Sequence, residues 1–543
     1  MDPTALRIED SAPPWEPDMK TLAETIERHA SEQPEGVAFY GDDTSMTWSE
    51  YAARSDRLGA LLCELDLSPG DRIAVVLPDG PGVHAAFVAA EKAGLITMGI
   101  GPRAGRAELL HLIGKSGAGA LISLAEYRGL DMAAFVKDAR SQGLPLAHHI
   151  VVSGELAAGE AIEVDGAPRE PDAPAPPRDR WMGCEDVFLL NSTSGTTGMP
   201  KCVVHHQARW IHFHEIAAKA AAFRDDDVFL SVIPAPFGFG LWTAHFTPTL
   251  LGVPCAVTAR FTPEWMIETI ERHRVTVLAA VSTQFVMLLG SDALPKHDLC
   301  SLRALFTGGE AVPYERAAEF EEKTGAAVLQ FYGSNETGAL SRTTLEDSRE
   351  RRFGTAGRTI DSMQVRLYDE AGNDVTASGR GMPACKGPVL SRGYWNDDEA
   401  NSELWTEDGW MLTGDIATLD DDSYLTIVGR AGDFIIRGGK NISAPAVERY
   451  VGTHPNVIVA AAVAMPDPVF GEKVCVYAEV RPGTDLTLDS LIDHLRAQDV
   501  STESLPERLI VIDEIPRSSG GKVAKATLRA DIRRRLESET TQA

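Results

Sequence analysis

No two of the seven cysteines (Cys63, Cys184, Cys202, Cys255, Cys300, Cys385, Cys475) have the spacing of a disulfide framework or a zinc site. Isolated thiols in odd number point to a reducing, cytoplasmic setting. No apolar run approaches the about 18 residues of a membrane-spanning helix. The opening MDPTALRIEDSAPPWEPD lacks the basic start and apolar stretch of a signal peptide. Positive charge is also scarce: 51 Lys and Arg face 79 Asp and Glu, a formal charge of −28. Residues 431–543 carry 16 acids and 14 bases, so the excess, 63 against 37, lies before them. This argues against the broad basic face that nucleic acids or anionic membranes require, while leaving room for a local cationic pocket. What remains is ordinary globular composition, 44% hydrophobic and 7% aromatic, over 543 residues, which is enough for several domains.

The first 340 residues alternate short apolar runs with longer helical patterns. RIAVVL (72–77) has the β-branched density of a buried strand, the Ala-rich stretch 82–94 reads as a helix closed by Gly94, and LITMGI (95–100) is strand again. VFLLNST precedes a helix near 206–222. LRALFTGG precedes a helix over 313–325, with Pro313 in its first turn and Gly325 at its C-cap, and AVLQFYGS follows. Such βα alternation predicts a parallel sheet covered by helices on both faces. Residues 153–180, ending PREPDAPAPPRDR, read as a surface loop. After GRAGD (429–433) the pattern changes to VIVAAAVAM, KVCVYAEV and a helix around LDSLIDHLRAQ. The expected domains are therefore 1–430 and 431–543.

Four stretches are able to carry chemistry. Asn191-Ser-Thr-Ser-Gly-Thr-Thr-Gly-Met-Pro-Lys201 follows the strand VFLL. Its small residues let backbone N–H groups converge on an anion, and its hydroxyls and Lys201 add donors and charge, which suits nucleotide phosphates. It is not a Walker loop, because GxxxxGK[ST] is absent; the alternative is a Gly-rich surface turn. Phe331-Tyr-Gly-Ser-Asn-Glu-Thr-Gly338 also sits at a strand end, where open α/β sheets bind ligands. There Glu336 is able to ligate Mg²⁺ through a carboxylate oxygen, or it is simply a surface or capping residue. Asp408-Gly-Trp-Met-Leu-Thr-Gly-Asp415 with Gly429-Arg430 reads as a hydroxyl-binding Asp or as an Asx-type turn. Pro516-Arg-Ser-Ser-Gly-Gly-Lys522 reads either as a Gly-rich loop that presents a lysine to an anion or as a disordered segment.

In this order and spacing the stretches resemble the acyl- and aryl-CoA synthetases of the adenylate-forming superfamily, relatives of firefly luciferase and of nonribosomal peptide synthetase adenylation domains. The likeness runs from MTWSEYAARSDRLGALL (46–62) to the lysine loop. It implies an α/β fold: a large N-terminal domain of parallel and mixed sheets flanked by helices with a β-barrel-like subdomain, then a small mobile α+β C-terminal domain. It implies attack of a carboxylate on the α-phosphate of MgATP, giving acyl-AMP and pyrophosphate, then domain rotation and displacement of AMP by the thiol of coenzyme A. By this likeness Thr193, Ser194, Gly195, Thr196, Thr197, Gly198 and Lys201 form the phosphate loop. Tyr332 and Gly333, with Gly308, Gly309 and Glu310, border the adenine. Glu336 holds Mg²⁺, with Asn335 beside it. Asp415 and Arg430 meet the ribose, and Lys522 is the catalytic lysine. Gly438, Gly439 and Lys440 of Gly438-Gly-Lys-Asn441 line the pantetheine tunnel, and Gly432 is the hinge.

The chain departs from the family pattern at several points. Cys202 stands for glycine, Asn335 for threonine and Ala446 for Glu; the Gly-Glu-Leu opening is missing at GRGMPACKGPVLSRGYW, and Gly432 replaces Lys or Asp at the hinge. The amide of Asn335 remains able to donate to a phosphate oxygen. In VIPAPFGFGLW (232–242) Phe237 takes the place of a histidine that gates the acyl channel, and the stretch has no acid to meet an α-ammonium. The expected pocket of Phe237, Gly238, Trp242, Gly308 and Gly333 suits an apolar, cyclic or aromatic acid rather than an amino acid; the aromatics alternatively read as core. The expected partners are a small carboxylic acid, ATP and coenzyme A, with an acyl carrier protein as the alternative thiol bearer. Homodimerisation stays open. A nucleotide-binding sensor without catalysis is the remaining alternative, and it has no need of Lys522 or Glu336.

Overall fold

The computed structural model describes residues 19–193, 199–309, 312–430, 434–437, 440–498, 500–517 and 523–542. Ser194, Gly195, Thr196, Thr197, Gly198, Glu310, Gly432, Gly438, Gly439 and Lys522 lie outside the described residues, as does the side chain of Lys440.

The alternating pattern folds as the composition of its runs requires. Among the described residues an eight-stranded sheet is ordered Ala167–Pro168, Glu163–Val164, His148–Val151, Ala120–Ser123, Arg72–Val76, Ile96–Gly99, Val187–Ser192, Cys202–His206. The run from His148–Val151 to Val187–Ser192 is parallel. The helix Pro81–Lys92 crosses between two of these strands and is buried along its whole length. Its alanines allow close approach to the helix Trp48–Cys63; among its buried side chains only His84, Glu91 and Lys92 are polar.

A second, nine-stranded sheet is ordered Arg358–Thr359, Gly338–Arg342, Ala327–Ser334, Ala304–Gly308, Val277–Ala279, Phe229–Ser231, Cys255–Ala256, Val37–Tyr40, Ser45–Thr47. Its centre is parallel and its two ends are antiparallel. An antiparallel sheet of Gln364–Tyr368, Arg380–Lys386, Asp415–Leu419 and Leu425–Arg430, with Met411–Leu412 beside it, occupies the part expected to be barrel-like. A separate α+β domain follows. It is a five-stranded sheet built on the long hairpin Val457–Asp467/Gly471–Val480, covered by Ala444–Gly452, Leu488–Arg496 and Lys525–Gln542 around cores of its own. The mixed α/β class expected from the sequence is the class observed.

Two local expectations are corrected. The 153–180 stretch is not wholly loop: Glu163–Val164 and Ala167–Pro168 pair as a hairpin on the edge of the first sheet. Its turn residues Asp165 and Gly166 have φ of 52° and 86°, the double left-handed conformation that makes Asp-Gly a hairpin signal. Pro313 precedes the helix Tyr314–Thr324 as its N-cap instead of sitting in its first turn, while Gly325 closes it at φ 77°.

Candidate active site

The strand Val187–Ser192 of the first sheet and the strand Ala327–Ser334 of the second deliver their carboxyl ends to one seam. The side chains of Asn191 and Asn335 bridge that seam, Asn191 Nδ2 donating to Asn335 Oδ1 at 3.2 Å. Carboxyl-terminal strand ends are where open α/β sheets leave room for ligands. The loop after Val187–Ser192 is closed at its base by Thr193 N–H donating to the Lys201 carbonyl at 3.0 Å. Beside it, Asn191 Oδ1 and Ser192 Oγ are buried without a partner among the described residues.

Two networks meet here. In the first, Tyr332 Oη donates to Asp415 Oδ2 at 2.6 Å, and Arg430 Nε donates to Asp415 Oδ1 at 3.0 Å. Asp415 and Arg430 face each other across the hairpin pairing Asp415–Leu419 with Leu425–Arg430, which is why residues so far from Tyr332 in sequence reach it as a pair. Burial first, and then the Asp415 carboxylate, push the Tyr332 phenol well above its ordinary value, so it stays a donor. In the second, Tyr394 Oη donates to Glu336 Oε1 at 2.8 Å, and its ring lies 4.9 Å from Lys201 Nζ, within range of a cation–π attraction. The Tyr394 stretch is laid against the strand Cys202–His206 by Val204 N–H to the Gly393 carbonyl (2.9 Å) and Trp395 N–H to the Cys202 carbonyl (2.8 Å). Burial, then Glu336, raise the Tyr394 phenol in the same way. Glu336 thus has one oxygen fixed, and Oε2 has no partner among the described residues. A hard carboxylate oxygen held in this way fits Mg²⁺.

Beneath the seam lies Arg209, on the helix Gln207–Ala221 and 1% exposed. Its Nε donates to the Val389 carbonyl at 2.9 Å, and its Nη1 donates to the Asn335 carbonyl (3.0 Å) and to His205 Nδ1 (2.8 Å). Arg209 therefore ties the Asn335–Glu336 turn to the Val389–Ser391 stretch, where Ser391 N–H also donates to the Glu336 carbonyl at 2.7 Å. Sequence reading missed Arg209 and Tyr394. Tyr394 stood inside the quoted SRGYW, but nothing local showed what it faces.

The remaining residues are placed as follows. Gly308 ends the strand Ala304–Gly308, and a Cβ there would lie 2.7 Å from the Phe331 carbonyl; Gly309 follows it. A Cβ on Gly333 would overlap the Gly338 carbonyl. Phe237 keeps part of its surface and caps the turn Gly238–Gly240, which runs into a π-helical stretch Leu241–Phe246. Trp242 is 3% exposed, packed edge-on against Phe306 and Phe331 with centroids 4.9 and 5.0 Å away and parallel to Phe239 at 5.6 Å. Cys202 is fully buried, its thiol pushed up to about 12 by burial. His205 and His206 are core residues. No helix among the described residues is long and apolar enough to cross a membrane.

Two mixed sheets whose carboxyl ends meet at one seam, with an appended α+β domain, are the architecture of the adenylate-forming superfamily. The chain belongs to the AMP-binding enzyme family, whose model matches residues 26–395, with the AMP-binding enzyme C-terminal domain matching 446–522. Triostin synthetase I of Streptomyces triostinicus is 32% identical over 511 residues, covering 94% of this chain and 93% of that one. The 2-hydroxy-7-methoxy-5-methyl-1-naphthoate–CoA ligase of Streptomyces carzinostaticus is 30% identical, covering 95% of this chain and 94% of its own. Among solved structures, the fold matches that of the anthranilate CoA ligase AuaEII in complex with anthranoyl-AMP, with a TM-score of 0.83 at 22% identity over 94% of this chain and 97% of that one.

Proposed function

We propose that the protein activates an apolar cyclic or aromatic carboxylic acid with ATP, releasing pyrophosphate, and transfers the acyl group from the acyl-adenylate to the thiol of coenzyme A. The observation that carries this is Tyr394, which joins Lys201 at the end of the phosphate-type loop to Glu336 at the other side of the seam. A carboxylate and a triphosphate repel each other, so their reaction needs fixed cations and a fixed acid geometry. Lys201 and residues 193–198 bind the outer phosphates. Asp415, fixed by Tyr332 and Arg430, accepts from the ribose hydroxyls. The free oxygen of Glu336 holds Mg²⁺, which when bound offsets phosphate charge as a Lewis acid.

Lys522, carried by the C-terminal domain, bridges the substrate carboxylate and the α-phosphate during adenylation. Rotation about Gly432 then exchanges it for the 438–441 turn, which admits the thiol. Between the two half-reactions the adenylate must be kept from water. The acid class rests on the apolar Phe237–Trp242 stretch without a carboxylate, and on the aryl acid named for the naphthoate–CoA ligase. A carrier-protein thiol is the second reading, favoured by the likeness to triostin synthetase I, which is not named as a CoA ligase.

The test is carboxylate-dependent exchange of labelled pyrophosphate into ATP across alkyl, alicyclic and aryl acids. Products are then weighed after adding coenzyme A or a phosphopantetheinylated carrier. Exchange is expected with aryl or alicyclic acids, followed by acyl-CoA. No exchange with any acid refutes adenylation. A preference for linear alkyl acids refutes the acid class, and loading of carrier alone replaces coenzyme A as the acceptor.

A further inference from the structure

One oxygen atom joins the acyl stretch to the strand that enters the phosphate loop. Asn335 Oδ1 accepts both from Gly238 N–H at 2.9 Å and from Asn191 Nδ2 at 3.2 Å. The orientation of the carboxamide follows from chemistry. A backbone N–H can only donate, so the Asn335 atom facing Gly238 is oxygen. Asn191, fully buried, must then turn its NH₂ toward that oxygen, leaving its own Oδ1 without a partner among the described residues. The same oxygen fills the room of a side chain at 238. A Cβ built on Gly238 would overlap Asn335 Oδ1 and lie 3.0 Å from the Trp210 ring. A threonine side chain at 335 would be one atom shorter, so it would neither reach Gly238 nor fill that room.

We propose that Asn335 is a positioning and specificity-determining residue for the acid, paired with Gly238. Its carboxamide supplies the wall that a side chain at 238 would otherwise form, and it fixes the acyl stretch to the phosphate-loop strand. This rests on the adenylation reading above, but the contact itself is testable without it.

A double-mutant cycle in thermal unfolding of the unligated protein reads the contact. Gly238→Ala lowers the melting temperature. Asn335→Ser, which removes the overlapping oxygen, recovers at least half of that loss when combined with it. Additive losses overturn the pairing.

In pyrophosphate exchange, Asn335→Ala raises KM for the acid about tenfold, the effect of roughly one lost hydrogen bond. KM for ATP rises less than KM for the acid. Asn335→Asp keeps an acceptor oxygen for Gly238 and Asn191, so in thermal unfolding it loses less melting temperature than Asn335→Ala; its added charge beside two anionic substrates keeps it out of the KM comparison. Equal rises in both KM values, or an aspartate variant that melts as low as the alanine, overturn the role. A wild-type protein inactive toward every acid refutes the adenylation reading and leaves the thermal cycle to decide the pairing.

Discussion

Glu91 offers a test of how the N-terminal domain is held together, because its titration and its packing are separable. It lies near the end of the buried helix Pro81–Lys92, is 2% exposed, and accepts Ala23 N–H at 3.2 Å, joining that helix to Leu22–Glu32. Burial, opposed in part by its hydrogen bonds, lifts the carboxyl from its ordinary 4.5 to about 7. The folded value exceeds the unfolded one, so between those pH values the native state binds more protons than the unfolded chain. The contribution of Glu91 to stability is therefore whole below pH 4.5 and is lost as pH rises through about 7.

A shift of that size amounts to about 3 kcal/mol once both states are ionised, most of which accrues between pH 5 and 8. Glu91→Gln keeps a carbonyl for Ala23 and removes the titration. All nine tryptophans precede residue 411, so intrinsic fluorescence in urea follows the N-terminal part without interference from the C-terminal domain. The variant-minus-wild-type stability from these melts is expected to climb by about 2–3 kcal/mol from pH 5 to pH 8. Buried histidines such as His84 and His245 titrate in the opposite sense, but they are present in both proteins and cancel. A difference that stays flat or falls with pH would show that the Glu91 carboxyl is hydrated in the native state and refute the reasoning.

Tyr332→Phe removes the 2.6 Å donor to the Asp415 carboxylate. Such a bond contributes about 1.5–3 kcal/mol, so KM for ATP is expected to rise roughly 10- to 100-fold with the acid KM little changed; an unchanged ATP KM removes Asp415 from nucleotide binding. Lys522→Ala is expected to lose adenylation far more than thioester formation from preformed acyl-AMP, and equal losses in both half-reactions count against its role. In native protein treated with iodoacetamide at pH 8, mass spectrometry should find exposed Cys300 alkylated and buried Cys202 untouched. Rapid modification of Cys202 would mean that the base of the phosphate loop opens.

Much of this was legible from one dimension. The β-branched density of RIAVVL, the alanines of 82–94 and the left-handed glycine at 325 each prefigured an element, because strand burial, helix crowding and helix termination depend on neighbours along the chain. The motifs around Lys201, Glu336 and Asp415 were legible for the same reason: each is a strand end or turn whose small residues are adjacent in sequence. The Asp165-Gly166 hairpin was legible too and was obscured by the proline-rich stretch that follows it.

The order of motifs along the chain was enough to determine the enzyme family and the α/β class. Tertiary structure alone decided which groups in those motifs touch. Tyr394 on Glu336, Arg209 beneath the Asn335 carbonyl, and the Asn335 oxygen in the space of a Gly238 side chain each join segments brought together only when two sheets dock at one seam. Hydrogen bonds and steric overlap act over about 3 Å, and no pattern along the backbone records which distant residues fall within that reach.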